Sequence, residues 1–275
     1  MSSGKGDRYG FTLIELSIVL VIIGLITGSA LAGRTLIRQA EFQSVGTDLN
    51  RFKTATYAFH NQYGGWPGDI KNATSFWGAA GGNSTDNFTA SCYATVGAGM
   101  STCNGDGNGL VAGSTQLPLG DTSVAPESFR FWQHLANAGL LSGTYTGVAG
   151  SQTAWQGIPG INLPKGRITN SGYAVQWYGT RGYVPAENWL FPLNYGHLFI
   201  FGLTDNTFGF GPALPALTPS EAAALDSKYD DGMPGSGFMV MQKAAEQTPN
   251  CIVSAQSYNI QYPAPACDLL DINVF

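Results

Sequence analysis

Residues 10–26 read Gly10-Phe11-Thr12-Leu13-Ile14-Glu15-Leu16-Ser17-Ile18-Val19-Leu20-Val21-Ile22-Ile23-Gly24-Leu25-Ile26, an apolar run broken by one carboxylate, Glu15. The apolar character continues through Ala32, and the first basic residue after it is Arg34. Phe11 to Arg34 makes about 35 Å of helix, enough to cross a hydrocarbon core of about 30 Å. A carboxylate in such a segment costs about 3 kcal/mol on insertion scales, so it is seldom kept without a partner or a task. The fold therefore starts from a long apolar helix with one charge near its beginning.

The flanks set its orientation. Lys5 and Arg8 outweigh Asp7 in the polar first ten residues, which keeps that end cytoplasmic while the rest of the chain crosses. A secretory signal peptide is cut after its apolar segment at a small-residue site. Here the glycine that precedes the apolar segment is the better cleavage point.

The string Gly10-Phe11-Thr12-Leu13-Ile14-Glu15 resembles the cleavage and methylation signature of type IV pilins and type II secretion pseudopilins. The resemblance implies cleavage after Gly10, N-methylation of the new amino terminus at Phe11, and a role for Glu15 in guiding the subunit into a helical filament. Its implied partners are other pilin or pseudopilin subunits, a prepilin peptidase and N-methyltransferase, and an inner-membrane assembly platform. Mechanically, the amine on Phe11 can neutralise Glu15 of a neighbouring subunit and so set the register, because the alternative is an unpaired charge in apolar surroundings. Gly24, Gly28 and Ala32 lie four apart and form a small-residue stripe that lets helix backbones approach. Ordinary transmembrane glycine is the competing reading. Many pilins carry a proline near the end of the run. This chain has none before Pro67, so a more continuous helix is expected.

Past Arg34, Leu36, Ile37, Ala40, Val45, Leu49, Phe52, Tyr57 and Phe59 recur among charged residues at helical spacing, until Gly64-Gly65-Trp66-Pro67-Gly68 ends the pattern. The expected organisation is a leader at 1–10, a transmembrane or filament-core helix at 11–34, an amphipathic stem at 35–63 and one globular head at 64–275. Helices are expected over 126–138, with Phe129, Trp132, Leu135 and Ala136 buried, and from the capping box at Thr218-Pro219-Ser220-Glu221. Strands are expected over 173–178, 197–203 and 237–241, which makes the head α+β with an antiparallel sheet. The segments at 66–69 and 131–140 look similar to heads of large pilin-like proteins.

The chain has four cysteines, Cys92, Cys103, Cys251 and Cys267, none in a Cys-x-x-Cys motif. Three pairings are open. Local pairing, Cys92 with Cys103 and Cys251 with Cys267, is preferred because it closes short glycine- and proline-rich loops. An exported head favours disulfides over a zinc site.

Asn104-Gly105-Asp106-Gly107-Asn108-Gly109-Leu110 places oxygen side chains at alternate positions and resembles the first half of a calcium loop. Asn104 stands where an aspartate usually leads, and Thr115 stands at the closing glutamate position. Glu127, or another carboxylate brought in by folding, would have to supply the missing charge. Asp226, Asp230, Asp231 and Gly232 form a second acidic loop. A plain Asn/Asp/Gly turn is the alternative for both.

With 11% charged residues and a net charge of −5, the chain lacks a general electrostatic grip on nucleic acid. His60, His134 and His197 are scattered, and no nucleophile elbow, phosphate loop or zinc motif is present, so no catalytic role is expected. Trp177-Tyr178 and Trp189-Leu190-Phe191 suit either core packing or a stacking surface, with packing preferred. Three roles stay open: a pilus subunit, minor or specialised given the large head; a type II secretion pseudopilin; or a filament-tip protein that binds a ligand. Before assembly the subunit is expected as a single-pass inner-membrane protein, and afterwards in a periplasmic or cell-surface filament.

Overall fold

Helix α1 runs unbroken from Leu13 to Tyr63 in a computed structural model that describes residues 10, 12–81, 92, 95–112, 127–151, 156–180, 190–204, 211–242 and 250–275. Continuity follows from the absence of proline, and Gly24, Gly28 and Gly33 do not interrupt it. The chain divides into two units, one ending at Glu41 and one running from Phe42 to Phe275.

In the first unit the apolar side chains lie open all around the helix, Leu13 at 87% exposure and Leu25 at 75% among them. A helix apolar on every side is built for lipid or for other helices rather than for water. Its length and composition suffice to cross a membrane.

The second unit begins with the rest of α1, which buries Phe42, Val45, Leu49, Phe52, Thr56 and Phe59, a stripe at three- and four-residue spacing. Tyr57, by contrast, is half exposed. The expected apolar face is therefore corrected at Tyr57, and at Leu36, Ile37 and Ala40, which are exposed in the first unit. Tyr57 is the one of the four within the second unit. That residue sits on the helix side away from Phe52 and Phe59, and its ring meets Trp66 edge-on. Two further helices follow, α2 (Ala73–Trp77) and α3 (Glu127–Asn137). α3 is buried on all sides through Leu135, while Ala136 is only half-buried. Pro126 lies outside the described residues. α4 (Pro219–Tyr229) starts at the expected capping box: Thr218 Oγ1 accepts from the Glu221 backbone N–H, and Glu221 accepts from the Thr218 N–H.

The strands are β1 (Ser171–Trp177), β2 (His197–Leu203), β3 (Met239–Met241), β4 (Ile252–Ser254), β5 (Ser257–Tyr258) and β6 (Leu269–Ile272). They build a four-stranded antiparallel sheet in the order β1-β2-β6-β3 and a small β4–β5 hairpin. The fold is α+β. Period-two alternation splits the sheet cleanly. Phe199, Phe201, Tyr173 and Leu269 join α1 and α3 in one core, while Leu198, Ile200, Leu270 and Ile272 pack with Tyr178, Leu190 and Phe191 in another. Phe52 meets Trp132 and Tyr173 edge-to-face at 5.0 and 4.9 Å, which locks α1, α3 and β1 together. Two disulfides complete the unit, Cys92–Cys103 and Cys251–Cys267.

Candidate functional site

Two places carry the residues singled out by sequence: the start of α1 and a corner of the second unit.

At the start of α1, Gly10 is exposed, and Phe11 lies outside the described residues. Thr12 and Glu15 close a reciprocal cap. The Thr12 N–H and hydroxyl both donate to Glu15 Oε2 at 2.8 Å, and the Glu15 N–H donates to Thr12 Oγ1 at 3.3 Å. The spacing is that of a capping box, so Glu15 satisfies an orphan donor at the end of its own helix. Its carboxylate remains at the surface, five residues past Gly10. Gly24 and Gly28 have nothing within 4 Å of where a side chain would project, so the small-residue stripe is open.

At the corner, three acids converge. Asp69, Asp106 and Glu127 offer carboxylate oxygens within 4.8 Å of one another, with Asp69 at 3% exposure and Glu127 fully buried. Glu127 is thus one carboxylate the loop lacked in sequence, and Asp69 is another. Asp69 directly follows the helix-stopping Trp66-Pro67-Gly68. Its only sequence signal as a ligand was its glycine-rich setting. Glycine makes the approach workable: a Cβ at Gly105 would run into the Asp69 backbone. At Gly68, φ is +85° where the chain passes the Glu127 carbonyl.

The acids are held by backbone amides. Asp69 accepts from the Asn108 and Gly109 N–H groups at 3.0 and 3.1 Å, and Glu127 from Asp106 and Ala112 at 3.1 and 2.9 Å. Among the described residues no lysine or arginine forms a salt bridge with any of the three. Burial pushes Glu127 up to about 8, and burial reinforced by Asp106 pushes Asp69 up to about 6. The expected loop ligands divide. Asp106 faces the cluster, whereas Asn104 Oδ1 accepts from Thr74 N–H at the start of α2, and Asn108 Oδ1 accepts from Leu110 N–H. A hard cation could take oxygens from Asp69, Asp106 and Glu127, and this chemistry suits calcium.

In the second acidic loop Asp226, Asp230 and Asp231 also bring carboxylate oxygens within 4.8 Å of one another, and each accepts hydrogen bonds that shape the loop. Asp226 accepts from Tyr258 Oη and Gly232 N–H, Asp231 from Met233 N–H and Ser236 Oγ, and Asp230 from Phe238 and Met239 N–H.

The histidines serve as hydrogen-bonding and packing groups. His134 accepts from Gly68 N–H at 2.8 Å and reaches Thr102 Oγ1, and His197 accepts from Val111 N–H at 3.0 Å. Burial holds both low, at about 3 and about 4, so both rings are neutral. His60 lies against Trp66 with ring centroids 4.1 Å apart. Tyr178, Leu190 and Phe191 are buried in the second core, and Trp189 lies outside the described residues.

Residues 6–31 match the family described as the prokaryotic N-terminal methylation motif. No curated protein and no solved structure matches the chain. The matched motif spans Gly10, Thr12, Glu15, Gly24 and Gly28, and takes in the exposed beginning of α1.

Proposed function

We propose that this chain, whose methylation motif and apolar helix are consistent with a type IV pilin-like precursor, matures into a minor or specialised subunit of a pilus-like filament. The observation that carries the reading is the motif match over residues 6–31, continuous with a helix whose apolar side chains from Leu13 to Leu31 are exposed among the described residues. A peptidase removes residues 1–10, Phe11 is N-methylated, and the subunit waits in the inner membrane on the exposed part of α1. Assembly exchanges lipid for neighbouring helices, with the open Gly24 and Gly28 positions admitting close backbone approach. Glu15 sets the register by meeting a neighbour's terminal amine. To do so it gives up, or shares, the cap it makes with Thr12.

The test is quantitative mass spectrometry of filaments sheared from producing cells, with the N-terminal peptide resolved. Mature chain beginning at N-methylated Phe11 in the sheared fraction supports a surface filament, and stoichiometry separates a minor from a major subunit. Mature chain confined to the membrane fraction favours a type II secretion pseudopilin. An intact leader in every fraction overturns the reading. A tip-binding role would require a ligand for the second unit.

For the second unit, the convergence of Asp69, Asp106 and Glu127 favours the structural-calcium reading over a bare turn. Calcium titration of thermal stability tests it.

A further inference from the structure

Asp268 stands between Cys267, which is bonded to Cys251, and the first residue of β6. Its side chain is fully buried, and neither carboxyl oxygen has a hydrogen-bond partner. Among the described residues no charged group pairs with it. β3 leads into Gln242, whose amide faces the carboxyl without closing a hydrogen bond. Leu217, just before α4, bridges Cys267, and the acid of the first turn of α4, Glu221, is turned back onto Thr218. On β6 the next acid, Asp271, is paired with Lys53. The titratable residue of β2, His197, pairs in register with Trp177 near the far end of the sheet. An ionised carboxylate left unpaired in such a place is far costlier than a neutral one.

We infer that the folded chain holds Asp268 as a neutral carboxylic acid, and that its ionisation at alkaline pH loosens the corner where Cys267, stapled to Cys251, leads into β6. Burial, opposed in part by its own backbone N–H and by the Gln242 amide, pushes this carboxyl up to about 8. The linkage has a definite sign. The folded state keeps a proton that the unfolded chain releases above its ordinary value of 3.8, so this group's contribution to stability is full below that value, declines as pH rises from there to about 8, and is lost above it.

The experiment compares the full chain in detergent, disulfides intact, with its Asp268→Asn variant by denaturant unfolding from pH 5 to pH 8. The unfolding constant of the wild type should rise by about tenfold per pH unit relative to the variant. Once the base-catalysed intrinsic rate is divided out, amide exchange over Leu269–Ile272 should lose protection with rising pH in the wild type and not in the variant. Equal pH slopes in the two proteins overturn the inference. Should the variant fail to fold, infrared spectroscopy of wild-type chain labelled at aspartate carboxyls decides. A protonated aspartate band persisting at pH 7 supports the inference, and its absence overturns it.

Discussion

Lys53 Nζ on α1 donates to Asp271 Oδ1 on β6 at 2.8 Å, an ion pair between residues 218 apart in sequence whose carboxylate is fully buried. Its second oxygen, Oδ2, has no hydrogen-bond partner. Lys53 is therefore the group that makes a charge on Asp271 tolerable. Burial still raises this carboxyl to about 6, with Lys53 opposing the rise.

Removing one partner of such a pair leaves a buried charge without compensation. Lys53→Met should destabilise the chain by about 3 kcal/mol, and by more at pH 8 than at pH 5, because Asp271 can take up a proton in acid. Lys53→Met combined with Asp271→Leu should recover much of the loss. Denaturant unfolding of the four proteins at both pH values checks this. Additive losses in the double variant would show that the pair is not coupled.

At the start of α1, Glu15→Ala should leave membrane insertion and cleavage intact and reduce incorporation into filaments. Cell fractionation with immunoblotting of sheared material reads this out, and wild-type incorporation of the variant would refute a role in register. Gly10→Val should leave full-length precursor in the membrane. Finding mature chain in that strain would remove the argument for cleavage at this point.

The acidic corner makes its own prediction. Millimolar calcium should raise the melting temperature of the wild type, since a ligand present at 100 times its dissociation constant adds about 2.7 kcal/mol to stability. Asp106→Asn and Glu127→Gln should each blunt the rise. Magnesium should act more weakly, because it demands a tighter octahedral shell. A melting temperature indifferent to calcium would leave Asp69, Asp106 and Glu127 as a hydrogen-bonded turn.

Gly105→Ala tests how that corner is packed. A Cβ at this position collides with the backbone of Asp69 rather than with a side chain able to swing aside. The variant should lose about 2 kcal/mol or more of stability. Its calcium response should fall along with it, because Asp69 is displaced. Differential scanning calorimetry with and without calcium separates the two effects.

The candidate sites were legible in sequence to different depths. The amino-terminal signature is local, as Gly10, Phe11 and Glu15 span six positions and a helix turns that spacing directly into geometry. The corner was half legible. Asp106 belongs to a visible glycine-rich loop and Glu127 could be named as a donor of missing charge. Asp69 arrives only because the Asp69 carbonyl accepts from Gly107 N–H and the Ile70 carbonyl from Gly105 N–H, pairings across more than thirty residues. Asn104 looked like a ligand by spacing alone, yet its carbonyl is committed to the first turn of α2.

The sequence by itself determined the elements whose signals are periodic or local: the apolar helix, the continuation of α1 as a buried stripe, the capping box at Thr218, and the strands rich in aromatic and β-branched residues around β1 and β2. Such patterns report on neighbours within a turn or a pleat. Tertiary structure alone decided that β6, short and carrying Asp271, runs between β2 and β3, and that the carboxyl of Asp268 beside it has no hydrogen-bond partner among the described residues. It also decided which acids meet at Asp69. Those outcomes depend on burying both faces of one sheet at once, so a strand with two acids beside or within it is held by the apolar layers around it.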